Sequence, residues 1–185
     1  MKVTQVRWGG AVALVFTARR HKGHAVIYEA ILERLRARGM PFTIHEHDEL
    51  AGIAAAQHLD LPTEHLLRTR AYRTREDDLL LVVTRWTDEV DPDELADQLD
   101  LRRSHLTLLT DAEVRDLFGV EPDSLSPIAL SDDVSVLIDE AVMDLDVVYC
   151  GVGRVDRTLE LRVVDLIYLT EAQVGPIIVE PDDEE

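Results

Sequence analysis

Apolar residues recur at Tyr28, Ile31, Leu32 and Leu35, with Glu29, Glu33, Arg34 and Arg36 between them. The spacing i, i+3, i+4, i+7 lines one face of an α-helix, and Gly39 supplies its stop. Pro41 opens Phe42-Thr43-Ile44-His45-Glu46-His47, whose β-branched and aromatic content predicts a strand. Asp48 is the expected cap of a second helix, with Leu50, Ile53, Ala54 and Leu59 on its buried side before Pro62. Two strand-like runs, 66–72 and 79–83, flank the polar residues 74–78 and predict a hairpin.

The two most informative local signals come next. Asp91-Pro92-Asp93-Glu94 combines a capping side chain, proline at the first helical position and acids in the first turn. Thr110-Asp111-Ala112-Glu113 is a capping box, and Gly119 falls where a helix carrying Val114, Leu117 and Phe118 needs a left-handed terminator. Residues 120–133, rich in Ser and Pro, read as a long ordered loop. Strands are expected at 134–138, 147–150 and 158–163, a short helix at 165–169 and a last strand at 174–179. Strands and helices alternate irregularly with no internal repeat, which predicts one mixed-sheet α/β domain.

Composition narrows the class. The chain has 185 residues, 46% of them apolar, enough for one well-buried core. No apolar run approaches the roughly 18 to 20 residues that span a bilayer, and 11–16 is too short for a secretory core, so no membrane partner is expected. The single Cys150 excludes an internal disulfide, and a cytoplasmic location is the expectation. The formal charge is −18, and 17 of the 19 basic residues are Arg. Acid-rich, lysine-poor surfaces suit strong salt, where their repulsion is screened, so salt adaptation is one expectation. The same charge repels polyanions unless cations cluster. They do cluster: Arg68, Arg70, Arg73 and Arg75 fall in eight residues without an acid, and Arg102 and Arg103 form a second pair.

Signatures of common catalysts are missing: there is no P-loop, no G-x-S-x-G and no H-E-x-x-H. His45 and His47 share one face of a strand and could begin a metal site, but no third ligand is identifiable. Cys150 beside Gly151-Val152-Gly153 invites a nucleophile reading, against which stands the ordinary role of a buried cysteine as a small hydrophobe. The two glycines make a tight turn or admit a ligand to bare backbone amides. Arg68 and Arg70 share strand parity and would need an anion between them if the face is buried; the alternative is a solvated edge strand.

Several short motifs occur in a familiar order. They are 110–117, Gly119-Val120-Glu121-Pro122, Leu125-Ser126-Pro127-Ile128, Val136-Leu137-Ile138-Asp139-Glu140, Val148-Tyr149-Cys150-Gly151-Val152-Gly153-Arg154 and 159–169. In that order and spacing the chain resembles the YbaK/ProX domain, the aminoacyl-tRNA deacylase fold also found as the editing domain of bacterial prolyl-tRNA synthetases. The resemblance implies an α/β domain with a mixed, mostly antiparallel, barrel-like sheet flanked by helices. It divides the chain into an unassigned extension 1–23, the editing domain 24–179 and an acidic tail 180–185. It also implies a freestanding hydrolase that cleaves the ester between a wrong amino acid and the 3′ end of a mischarged tRNA. No metal or organic cofactor is implied, and no DNA partner.

By position, the resemblance places Gly151 and Gly153 in the loop whose amides hold the carbonyl. Ser126 and Pro127 shape the pocket wall, and His47, Thr69, Arg70 and Asp139 lie at or behind the site. Arg73, Arg75 and Arg102 are the expected tRNA contacts. The chain departs from the pattern at three positions: Arg68 stands where the family has its lysine, Arg70 replaces the next apolar residue, and Asp123 replaces the glycine after the loop proline. Two readings follow from the exchange of a compact ammonium for a planar fork. One is a deacylase that uses Arg68 as its cation. The other is a binding or regulatory module that keeps the pocket and senses an aminoacyl group or a small anion through Arg68 and Arg70.

Overall fold

The computed structural model describes residues 5–8, 11–14, 23–49 and 52–179. The capping signals form as expected. Asp91 accepts hydrogen bonds from the amides of Asp93 (2.8 Å) and Glu94 (3.3 Å) and starts helix α3, Pro92–Gln98. Thr110 and Glu113 exchange the two bonds of the capping box at the head of α4, Asp111–Phe118, and Gly119 closes it at φ 69°. The amphipathic stripe forms α1, Gly23–Ala37, which buries Ile31, Leu32 and Leu35. The second helix, α2, runs Gly52–His58, so Asp48 is not its cap; Gly52 begins it at φ +57°. The apolar end of the chain makes α5, Val163–Thr170.

Among the described residues ten strands build three sheets. β1 (Gln5–Trp8) and β2 (Ala11–Leu14) pair antiparallel with each other. The hairpin of β4 (Leu67–Thr74) and β5 (Leu79–Arg85) is the centre of a five-stranded sheet. β6 (Leu106–Leu108) pairs antiparallel with the far end of β4. On the other side β7 (Val134–Asp139) lies parallel to β5, and the short β10 (Gln173–Gly175) parallel to β7. The third sheet is antiparallel, in the order β3 (Thr43–Glu46), β9 (Arg157–Arg162), β8 (Val147–Gly151). The barrel expected from the resemblance does not close: the two larger sheets meet at a single parallel bridge, Leu66 with Tyr149. The last strand is also shorter than the expected 174–179, because beyond Gly175 the strand pairing is reduced to one isolated bridge, Ile178 with Val90.

The main core fills the space between these sheets. Leu67, Ala71, Leu81, Val83 and Ile138 face Val148, Cys150, Leu159 and Leu161, with α1 and α5 closing the ends. On the opposite face of the five-stranded sheet, Leu80, Val82 and Leu137 pack on Leu95 of α3 and Ile177. Strand parity therefore sorts β4 cleanly. Leu67, Thr69 and Ala71 are buried on the core side, and Arg68, Arg70 and Tyr72 are half-buried on the other. Among the described residues no helix is long and apolar enough to cross a membrane.

Candidate functional site

A narrow cleft opens where the two larger sheets diverge. His47, Gly52, Trp86, Asp123, Ser124, Gly151, Arg154 and Thr158 line it. The loop that carries Ser124 is docked on the end of β8 by glycine. A Cβ at Gly151 would stand 2.6 Å from the Leu125 carbonyl oxygen and 2.7 Å from that of Ser124, so only a bare Cα admits the loop backbone. Gly153, at φ +81°, donates its amide to the Ser124 carbonyl at 2.8 Å. Of the two glycine amides that the resemblance assigns to the substrate carbonyl, that of Gly153 is thus bonded to Ser124, and the glycines position the loop.

The histidine at the cleft wall is fixed by its partners. His47 Nδ1 lies 2.6 Å from the Asp48 carbonyl oxygen, which can only accept, so this nitrogen carries the proton. Nε2 then accepts from the Thr158 hydroxyl at 3.0 Å. His45 turns to Glu160 at 2.6 Å and sets its ring edge on Tyr149. The two histidines are consequently spoken for by different partners. Among the described residues no group of three or more His, Cys, Asp or Glu is placed to hold a metal ion.

Charges at the rim are largely paired. Arg154 forks onto Asp156 at 2.8 and 2.7 Å, which holds the Arg154 guanidinium above its usual pKa and the Asp156 carboxyl below its own. Arg154 also lies over the Tyr28 ring, 5.6 Å from its centroid. Arg157 binds Asp156 at 3.0 Å and Glu46 at 3.2 Å. Cys150 sits behind the wall, 1% exposed, and burial pushes its thiol up to about 12. A protonated, core-packed thiol is no nucleophile.

Arg68 does not line the cleft. Its guanidinium stacks 5.2 Å from the centroid of Trp86, whose indole is the cleft's wall, so one ring separates the cation from the cavity. Arg70 lies on the same face. Burial, and then the charge of Arg68, lower its pKa, while Tyr72 and Glu89 act the other way. Thr69 is on the core side, 7% exposed, with no hydrogen-bond partner for its hydroxyl among the described residues.

The remaining candidates spread out. Ser126 and Pro127 are buried, and the Ser126 hydroxyl accepts from the Ile128 amide. Ser126 borders a separate, mostly apolar cavity of about 480 Å³ between α1, α4 and residues 125–134. Asp139 is fully buried and accepts from the amides of Ala141 (2.9 Å) and Ile177 (3.0 Å). Arg73 is held by Asp77 and Glu113, each at 3.2 Å, whereas Arg75 and Arg102 are exposed. Two cleft residues, Gly52 and Trp86, were not apparent in the sequence. They are far apart along the chain and belong to no periodic pattern; an isolated glycine ahead of an alanine-rich helix is the one available hint.

Comparison with known proteins fits this arrangement. Three solved structures share the fold. The hypothetical protein APE2540 has a TM-score of 0.74 at 20% identity, over 81% of this chain and 99% of its own. A protein provisionally described as a trans-editing enzyme for prolyl tRNA synthetase has a TM-score of 0.72 at 17% identity, over 83% of this chain and 98% of its own. A signal transduction protein, also provisionally described, from Marinobacter aquaeolei VT8 has a TM-score of 0.62 at 19% identity, covering 82% of this chain and 31% of its own. No curated protein matches by sequence. The family model of the aminoacyl-tRNA editing domain matches residues 47–169, from the cleft histidine through the docked loop and the glycine turn to α5. By the extent of that match, the chain belongs to the aminoacyl-tRNA editing domain family.

Proposed function

We propose that the chain is a trans-editing deacylase that hydrolyses the ester of a mischarged tRNA at the cleft between the 122–127 loop and β8. The observation that supports this reading is the stacking of Arg68, the residue that the resemblance sets at the family lysine, on Trp86 of the cleft wall. In the reaction, water adds to the ester carbonyl carbon, assisted by the neighbouring ribose hydroxyl. The bond from that carbon to the ribose oxygen breaks, and a free amino acid and a tRNA hydroxyl result. Donors aimed at the developing oxyanion in a water-poor site supply roughly 3 kcal/mol each, so a hydrolase of this kind needs no strong nucleophile. Arg75 and Arg102, exposed on the surface, are the cations available to the tRNA backbone.

A second reading has its own support. With Trp86 in place the cleft has a volume of about 20 Å³, room for about one water molecule and not for an acyl group. A module that retains the family cleft but binds an anion through Arg68 and Arg70 on the outer face would look the same. Release of amino acid from a panel of mischarged tRNAs separates the two. The deacylase hydrolyses at least one of them and loses about 100-fold in Arg68→Ala. Silence from wild type, Arg68→Lys and Arg68→Lys with Arg70→Leu favours the binding module.

A further inference from the structure

We propose that Trp86 is the specificity-determining residue of the cleft: its indole occupies the acyl subsite and confines the substrate to the smallest acyl groups. This rests on the deacylase reading. The backbone of Trp86 is pinned, since its amide donates to the Leu66 carbonyl at 2.7 Å just beyond the end of β5. The indole is seated on Gly52. A Cβ built there would overlap Cζ2 and Cη2 of Trp86 and stand 2.6 Å from Cε2, so the ring lies flush on a bare Cα. The Arg68 guanidinium also stacks on the ring, 5.2 Å from its centroid. With the ring seated there, the cleft that it shares with Ser124 and Gly151 keeps about 20 Å³.

That geometry makes acyl size the selected property. The remaining walls are fixed by backbone: the Ser124 and Leu125 carbonyls lie against Gly151, and His47 is held at both ring nitrogens. Trp86 is a large side chain of the cleft whose removal or displacement enlarges it without breaking one of those hydrogen bonds. The Arg68 stack holding it is worth only about 0.5–1 kcal/mol at an exposed site, so a small acyl group can ease the ring aside. A branched or aromatic one needs the whole space. Size discrimination in apolar pockets amounts to roughly 10- to 200-fold.

The test compares wild type, Trp86→Ala and Trp86→Phe on tRNAs charged with glycine, alanine, leucine and phenylalanine. Wild type is expected to prefer glycyl and alanyl esters. Trp86→Ala should raise kcat/KM for the leucyl and phenylalanyl esters by about 10-fold or more relative to the alanyl ester, with Trp86→Phe between them. The same acyl profile in all three proteins would overturn the proposal. If Trp86→Ala does not fold, Gly52→Ala, which pushes the indole off its seat, is read in its place alongside Trp86→Phe. If no protein hydrolyses any ester, the deacylase reading fails and the proposal is decided by calorimetry with amide-linked aminoacyl-adenosine analogues. Binding of the phenylalanyl analogue gained in Trp86→Ala then supports it. Equal affinity in both proteins, or no binding by either, overturns it.

Discussion

Replacing Asp139 separates a structural carboxylate from a catalytic one. Asp139 is the residue the family resemblance puts at or behind the site, and a buried aspartate assigned to such a place invites a role as base. Its contacts say otherwise. One oxygen accepts the Ala141 amide and caps the helical turn 140–144; the other accepts the Ile177 amide and ties the C-terminal segment to the end of β7. Hydrogen bonds to a charged acceptor are worth roughly 1.5–3 kcal/mol each, so Asp139→Ala, which orphans both amides, should cost about 3–6 kcal/mol. For a chain of this size each kcal/mol lowers Tm by about 2–4 °C, which gives a drop of about 6–24 °C. Asp139→Asn keeps one acceptor oxygen and should lose about half as much. Thermal melts by circular dichroism read the cost, and deacylation is assayed well below both transitions. A Tm within about 2 °C of wild type, the smallest shift that one kcal/mol would give, together with abolished hydrolysis would refute the argument and place the carboxylate in the chemistry.

Three more outcomes follow from the same contacts. Gly151→Ala sets a methyl against the Leu125 and Ser124 carbonyls, which are backbone and cannot rotate away, so it should cost about 1–3 kcal/mol in urea unfolding and loosen the loop; unchanged stability would mean the loop is not seated there. Cys150 should resist iodoacetamide in the native state, and because its folded pKa is raised above the unfolded value, the stability it contributes is complete below about pH 8.5 and falls as pH rises toward about 12; a slope equal to that of Cys150→Ala would contradict this. In filter binding to tRNA, Arg75→Ala should reduce both affinity and salt dependence, and Arg73→Ala should do less because Asp77 and Glu113 already neutralise it; the reverse ranking would relocate the tRNA face.

What could be read in the sequence is what depends on adjacent residues. The caps at Asp91 and Thr110 are built from side chains and amides two or three positions apart, and both form. Alternation along 66–72 correctly put Arg68 and Arg70 on one face, because parity is a property of the strand itself. The failures are tertiary. β6 is three residues long and exists only because Tyr72–Thr74 offers it an edge, so no local pattern announces it. Asp48 looked like a cap, yet α2 starts at Gly52, where a left-handed residue without a side chain meets Trp86. The closed cleft, and the indirect position of Arg68, follow from that same meeting of residues distant along the chain.

The arginine at position 68, where the resemblance expects a lysine, is best understood together with Trp86. An ammonium is a compact point charge and gains little from an indole face, whereas a guanidinium is planar, weakly hydrated and stacks. In this chain the cation has a ring to lie on, 5.2 Å from the centroid. The two side chains should therefore behave as a unit, and a lysine placed beside an unchanged Trp86 should not recover the family's geometry. A double-mutant cycle over Arg68→Lys and Trp86→Ala measures this directly. Stacking predicts a coupling of about 0.5–1 kcal/mol in unfolding free energy, lost whichever partner is changed first. It further predicts that Arg68→Lys recovers or exceeds the wild-type hydrolytic rate only when Trp86 is also removed, because only then can the shorter ammonium approach the space beside Gly151. Additive effects on stability and rate would show that the stack is incidental, and that Arg68 must reach the substrate by a route that leaves the indole where it is.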